Sequence, residues 1–188
     1  RVRAVGKCKT SAASSPLIIS RVKNPGSIGS MDGPREICTT SGTVTYTIPP
    51  IENVNKYTWL VPHVFDKKGI QVTTEPFIDL NAQQAGAGEV KVHGENECKM
   101  TTQDIPLEVT TYAPLQQPVL TISPCDTEIQ VSGNENFLWY LNGVRAPQLS
   151  GSILMVLDSG IYHVEAENFC GITQSNRVKA YPIINSTV

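Results

Sequence analysis

Five cysteines carry the most chemistry in this 188-residue chain: Cys8, Cys38, Cys98, Cys125 and Cys170. No two stand in a C-x2-C or C-x4-C pair, and no histidine lies near enough to complete a ligand set, so their spacing argues against a structural zinc site. Their chemistry is therefore expected to be disulfide formation, which implies an oxidising, extracellular compartment. His63, His93 and His163 are dispersed and accompany no Ser or Cys nucleophile signature, so no catalytic residue is expected. Asp66, Asp79, Asp126 and Asp158 could in principle hold calcium. They lack Asp-x-Asp-x-Asp spacing and read as turn and loop carboxylates. Gly86-Ala87-Gly88 precedes no helix and so cannot cradle a phosphate. Trp59 and Trp139 could stack on sugars, but a large aromatic in mid-strand reads first as a core residue. Asn185-Ser186-Thr187 is a formal glycosylation sequon and reads as a polar tail. The expectation is a non-enzyme with no cofactor and no metal.

The cysteines belong to a repeat. Val2-Arg3-Ala4-Val5-Gly6-Lys7-Cys8, Val92-His93-Gly94-Glu95-Asn96-Glu97-Cys98 and Val164-Glu165-Ala166-Glu167-Asn168-Phe169-Cys170 share the pattern Val, any, small, any, Asn or Gly, any, Cys. Ser11, Thr101 and Thr173 stand three residues after each cysteine. Alternation followed by turn chemistry reads as the end of a penultimate strand leading into the turn before the last one. Three endings occur, with room upstream for two whole domains. The length suits two small domains, and 40% hydrophobic residues suffice for their cores. Apolar runs such as Ile153-Leu154-Met155-Val156-Leu157 are far shorter than a membrane-spanning helix requires. No leader is visible at Arg1, which opens in mid-strand. A net charge of -2 with scattered Lys and Arg leaves no footprint for nucleic acid or anionic membrane.

Four segments are expected. Residues 1–20 read as the closing hairpin of a preceding domain, because an isolated hairpin is marginal in water. Residues 21–113 form the first whole domain. Thr43-Val44-Thr45-Tyr46-Thr47-Ile48 is a period-2 strand stopped by Pro49-Pro50, and Tyr57, Trp59 and Val61 point inward from the next. Gly86-Ala87-Gly88 reads as a loop. Residues 114–117 are a short linker between Pro114 and Pro118, semi-rigid rather than loose. Residues 118–188 form the second domain, with a hairpin turn at Asn142-Gly143 and one closing strand over residues 177–181. Roughly seven short strands per unit, without helical periodicity, give an all-β chain of two tandem β-sandwiches. In each unit one cysteine precedes an early strand and another sits at the late turn. That placement predicts the disulfides Cys38–Cys98 and Cys125–Cys170, with a tryptophan beside each, and leaves Cys8 for an upstream or intermolecular partner.

Trp139-Tyr140-Leu141-Asn142-Gly143 followed by Asp158-Ser159-Gly160-Ile161-Tyr162 resembles the immunoglobulin-like pattern of a strand C tryptophan and a tyrosine corner, which makes Tyr162 a structural core residue. Val164 stands where antibody domains carry a cysteine. The first domain resembles PKD-like modules of the same broad superfamily, through Ile37-Cys38, Thr45-Tyr46-Thr47-Ile48, Tyr57-Thr58-Trp59 and Asn96-Glu97-Cys98. The resemblance implies a tandem array of the sort found in large surface adhesins and secreted proteins of gliding Bacteroidota-type bacteria that use type IX secretion. It implies a structural and adhesive segment of an extracellular multidomain protein. Its partners would be neighbouring domains or subunits through residues 1–20, and surface glycans or proteins. Two alternatives stand beside it: an accessory module of a secreted polysaccharide hydrolase, and a filament subunit assembled by strand complementation.

Overall fold

Alternation is the dominant local signal; the computed structural model describes residues 1–18, 21–124, 127–133 and 136–182, and among these residues it turns that signal into fifteen strands. Among the described residues every regular element is a strand. The first seven are β1 (Glu36–Cys38), β2 (Thr43–Thr47), β3 (Lys56–Val61), β4 (Gly69–Thr73), β5 (Phe77–Asn81), β6 (Gly86–Glu95) and β7 (Ile105–Tyr112). They form a five-stranded sheet in the order β1-β7-β6-β3-β4 and a two-stranded sheet β2-β5. Along β3 the period-2 pattern places Tyr57, Trp59 and Val61 inside and Leu60 outside. Tyr46, Ile78 and Leu80 from the small sheet meet Trp59, Val90 and Val92 from the large one in a single apolar cluster. Burial of each large apolar side chain contributes on the order of 1.5–3 kcal/mol.

The remaining strands are β8 (Leu120–Ile122), β9 (Glu128–Val131), β10 (Phe137–Leu141), β11 (Val144–Arg145), β12 (Ile153–Met155), β13 (Gly160–Asn168), β14 (Gly171–Gln174) and β15 (Val178–Ala180). One sheet runs β11-β10-β13-β14, with β15 also paired to β13, and the other runs β12-β9-β8. Trp139, Tyr162, Val164 and Ile129 anchor the second cluster. The Asn142-Gly143 turn has φ of 53° and 80° at its two residues, the left-handed backbone that Asn and Gly accept most readily. The chain is thus all-β and built of β-sandwiches.

Two local expectations are corrected. Gly86-Ala87-Gly88 is not a loop but the start of β6, paired with Thr111, Thr110 and Val109 of β7. Glycine is needed there for approach rather than for turning, because a Cβ on Gly88 would come within 2.4 Å of Pro62. The single closing strand expected over residues 177–181 is two strands. β14 pairs with the end of β13 and β15 with its start, interrupted where the Ser175 hydroxyl accepts a hydrogen bond from Val164 N at 2.9 Å.

Residues 2–14 pair with themselves, Ser14 N donating to Val2 O at 3.0 Å and Ser11 N to Ala4 O at 2.9 Å. Val2 and Ala4 are exposed, whereas Val92 and Val164, the counterparts of Val2 in the repeat, are fully buried.

Candidate functional site

The expected Cys38–Cys98 and Cys125–Cys170 bridges give way to a bridge that joins Cys38 to Cys170, with a Cα–Cα distance of 5.1 Å. Strand direction supplies the reason. β1 runs parallel to β7 and pairs Cys38 with Tyr112, at the C-terminal end of β7. Cys98 lies in the turn before the other end of β7, where Ile105 pairs with Val92. Seven residues of strand separate those two pairs, about 24 Å at about 3.4 Å per residue. A disulfide requires Cα atoms within about 7 Å, so Cys38 and Cys98 stand at opposite poles of one sandwich. Among the described residues, Cys98 and Cys8 are exposed and unpaired. Cys125 lies outside the described residues, as does Asp126.

Cys170 is held by its own repeat signature. β13 and β14 meet at the Asn168–Gly171 pair, which leaves Phe169 and Cys170 as the turn. The Asn168 side-chain oxygen accepts from Cys170 N at 2.8 Å, an Asx turn that fixes the cysteine backbone. The other end of the same amide donates to Ala113 O at 2.8 Å, reaching the segment that leaves β7. Phe169 stacks on Tyr112 with ring centroids 5.4 Å apart. Gln117 Nε2 donates to Gln174 O at 2.9 Å, and Asn176 brackets the start of β8 through both Leu120 N and Leu120 O. On the other side Thr39 N donates to Tyr112 O at 2.8 Å, and the Tyr112 hydroxyl to Glu36 at 2.9 Å. That bond to the Glu36 carboxylate raises the Tyr112 phenol above its ordinary pKa. The connection between the two sandwiches is therefore a covalent bond flanked by an aromatic pair and side-chain clamps.

Among the described residues no group of three His, Cys, Asp or Glu side chains could hold a metal ion. His93 Nδ1 contacts Asp104 at 2.8 Å on the surface of the first sandwich. His163 is buried in the second, stacked on Tyr140 at 4.6 Å, and its Nδ1 has no hydrogen-bond partner. Burial and the nearby Arg177 hold its pKa below the usual imidazole value, against a smaller opposing effect of Glu165. His63 is exposed, in the segment that follows β3. Asp66 braces its own loop. Burial acts to raise its pKa, but hydrogen bonds from Asn81 and Lys67 prevail and lower it. Asp79 accepts from the Thr45 hydroxyl at 2.6 Å, and Asp158 offers its backbone oxygen to the Tyr162 hydroxyl at 2.6 Å, the tyrosine-corner contact. Trp59 and Trp139 are buried, their indole N–H groups donating to Thr73 Oγ1 and Gly151 O. Neither cluster that holds a tryptophan contains a disulfide of its own, which corrects the expectation of one beside each.

Tyr112 and Gln117 lie outside the repeat signature and Phe169 stands at one of its unpatterned positions, so no local signal marks them, whereas Asn168 is marked by the turn position that it shares with Asn96.

Residues 24–109 match the model of the PKD-like domain. No curated protein matches the chain. Among solved structures, a chain from the mouse coronavirus receptor-binding domain complexed with its murine receptor is similar over 82% of this chain and 99% of its own, with 12% identity and a TM-score of 0.56. The D00-D0 domain of intimin aligns over 81% of this chain and 98% of its own, at 10% identity and a TM-score of 0.45. The N-terminal four Ig domains of a Dscam1 isoform align over 91% of this chain and 50% of theirs, at 11% identity and 0.46. At such identities the likeness is one of fold, carried here by the first of the three. With the PKD-like match over residues 24–109, it supports a chain of β-sandwich modules.

Proposed function

We propose that this chain is a non-enzymatic structural segment of an extracellular multidomain protein, in which residues 21–113 and 118–188 are consecutive sandwich modules that space and present adhesive surfaces. The observation that carries this reading is the Cys38–Cys170 bridge, which joins one sandwich to the next rather than closing either. A bond of that kind resists bending and pulling at the junction, and it persists only where thiols are oxidised. Residues 1–20 supply the closing strands of a further module. Their exposed Val2, beside the buried Val92 and Val164, marks a face that in the whole copies is covered. That same face favours the second reading, a filament subunit whose hairpin completes a neighbour's sandwich.

Small-angle scattering of the oxidised and reduced chain tests the spacer reading. A single well-defined maximum dimension that broadens on reduction supports it, and identical profiles would oppose it. Reproducible turnover of a polysaccharide by the purified chain would move the reading to the hydrolase accessory module. Filaments by electron microscopy that disappear when residues 1–20 are removed would move it to assembly in trans.

A further inference from the structure

The Cys38–Cys170 bridge uses one cysteine from the pole of a sandwich where β1 ends and one from the opposite pole of the sandwich that follows. The first sandwich has its own opposite-pole cysteine, Cys98, and the structure prepares it as it prepares Cys170. The Asn96 side-chain oxygen accepts from Cys98 N at 3.0 Å, as Asn168 does from Cys170 N. Asn96 Nδ2 donates to Lys23 O at 3.1 Å, as Asn168 Nδ2 does to Ala113 O. In both copies one amide thus fixes the cysteine backbone and grips the chain segment that enters the sandwich. Asn96 is 96% buried, although it lies next to an exposed Glu97 and an exposed Cys98. A cleft of about 410 Å³ opens beside it, walled by the entering residues Arg21, Val22 and Lys23 and by Asn53, Asn55 and Glu97. At the occupied junction, Tyr112 and Phe169 stand in the places of Val22 and Glu97 and contact each other.

We propose that Cys98 is the receiving half of a second bridge between sandwiches, its partner being the cysteine at the end of the first parallel strand of the preceding module. Every junction of this type then carries one staggered disulfide, from the lower pole of a module to the upper pole of the next. The proposal rests on the tandem-array reading. It concerns Cys98 and not Cys8, because Gly6 replaces the asparagine of the signature and has no amide to grip an entering segment. Bridge formation consumes one disulfide of a protein dithiol–disulfide oxidant in the secretory route. The thiolate of Cys98 or its partner attacks that disulfide, the second thiolate displaces the mixed intermediate, and the oxidant leaves with two thiols that hold the two protons and two electrons.

Non-reducing peptide mapping of the natural protein tests this, with thiols blocked by N-ethylmaleimide at harvest. The expected result is a Cys98 peptide linked to a peptide from outside residues 1–188, from a sandwich immediately ahead, and a Cys38 peptide linked to Cys170. In a Cys98→Ser variant the partner cysteine should become alkylated while Cys38–Cys170 remains. Replacing Asn96 by Ala removes a positioning hydrogen bond worth about 1 kcal/mol, so the bridge should be about five-fold less favoured in a glutathione redox buffer. An alkylated Cys98 in a protein that does have a preceding sandwich overturns the proposal alone, as does a link from Cys98 to Cys8 or Cys125. A natural protein with no sandwich ahead of these residues overturns the array reading as well.

Discussion

Removing the Cys38–Cys170 bridge should destabilise both sandwiches, and either single replacement should suffice. The bridge spans 132 residues, and the chain-entropy relation gives about 5 kcal/mol if the two modules unfold together. If they unfold separately, the constraint on each is smaller. With the first sandwich intact, Cys38 is fixed beside Tyr112, and the bridge closes a loop of about 58 residues from Tyr112 to Cys170 around the unfolded second module. That contributes about 4 kcal/mol. With the second intact, about 80 residues from Cys38 to Pro118 are closed around the first, for about 4.5 kcal/mol. These are upper values, since disulfides commonly deliver less than the entropy model. Urea denaturation and calorimetry of Cys38→Ser, Cys170→Ser and the double variant measure them. At about 4 °C per kcal/mol for domains of this size, each transition should fall by about 16 °C where the full ~4 kcal/mol is delivered, and by proportionally less where it is not. A bridge confined to one module predicts otherwise, because Cys170→Ser would then leave the first sandwich untouched. An unmoved first transition in Cys170→Ser, or two alkylatable thiols at these positions in the oxidised native protein, would refute the reasoning.

Trp139→Ala should cost about 3–5 kcal/mol by opening a cavity in the second cluster, and intrinsic fluorescence of the remaining Trp59 should report an unchanged first sandwich. Tyr162→Phe deletes the bond to Asp158 O while keeping the ring, so a loss of about 1 kcal/mol in urea denaturation is expected, with no loss if that bond contributes nothing. His163 gives the second sandwich a pH dependence. Its pKa is lowered on folding, so its neutral form supports the fold fully above about pH 6.5. As pH falls below that value the unfolded chain takes up the proton first, and stability declines until the folded pKa is passed. The melting temperature of the second sandwich should fall between pH 7.5 and 5, and His163→Phe, which retains the stack on Tyr140, should flatten that part of the profile; an identical slope in the variant would exclude His163 as its source.

Local pattern determined the strand content, because alternation, proline stops and the Asn142-Gly143 turn act over a few residues each. It also determined the inward tryptophans, since a period of two allows Tyr57, Trp59 and Val61 only one shared face. The threefold signature located the turns at Cys98 and Cys170 and the asparagines that hold them. The partner of each cysteine was decided elsewhere. Whether an early cysteine lies near a late turn or about 24 Å from it depends on the direction of β1 against β7, a pairing between residues more than seventy positions apart. Nothing within three residues of Cys38 encodes that direction. Parallel pairing carries Cys38 to the pole where the chain exits toward the second sandwich, and there the Asn168 amide, the Phe169 ring and Cys170 meet Ala113, Tyr112 and Cys38. The bridge is a property of two folded modules placed end to end, and its geometry exists only once both sheets have formed.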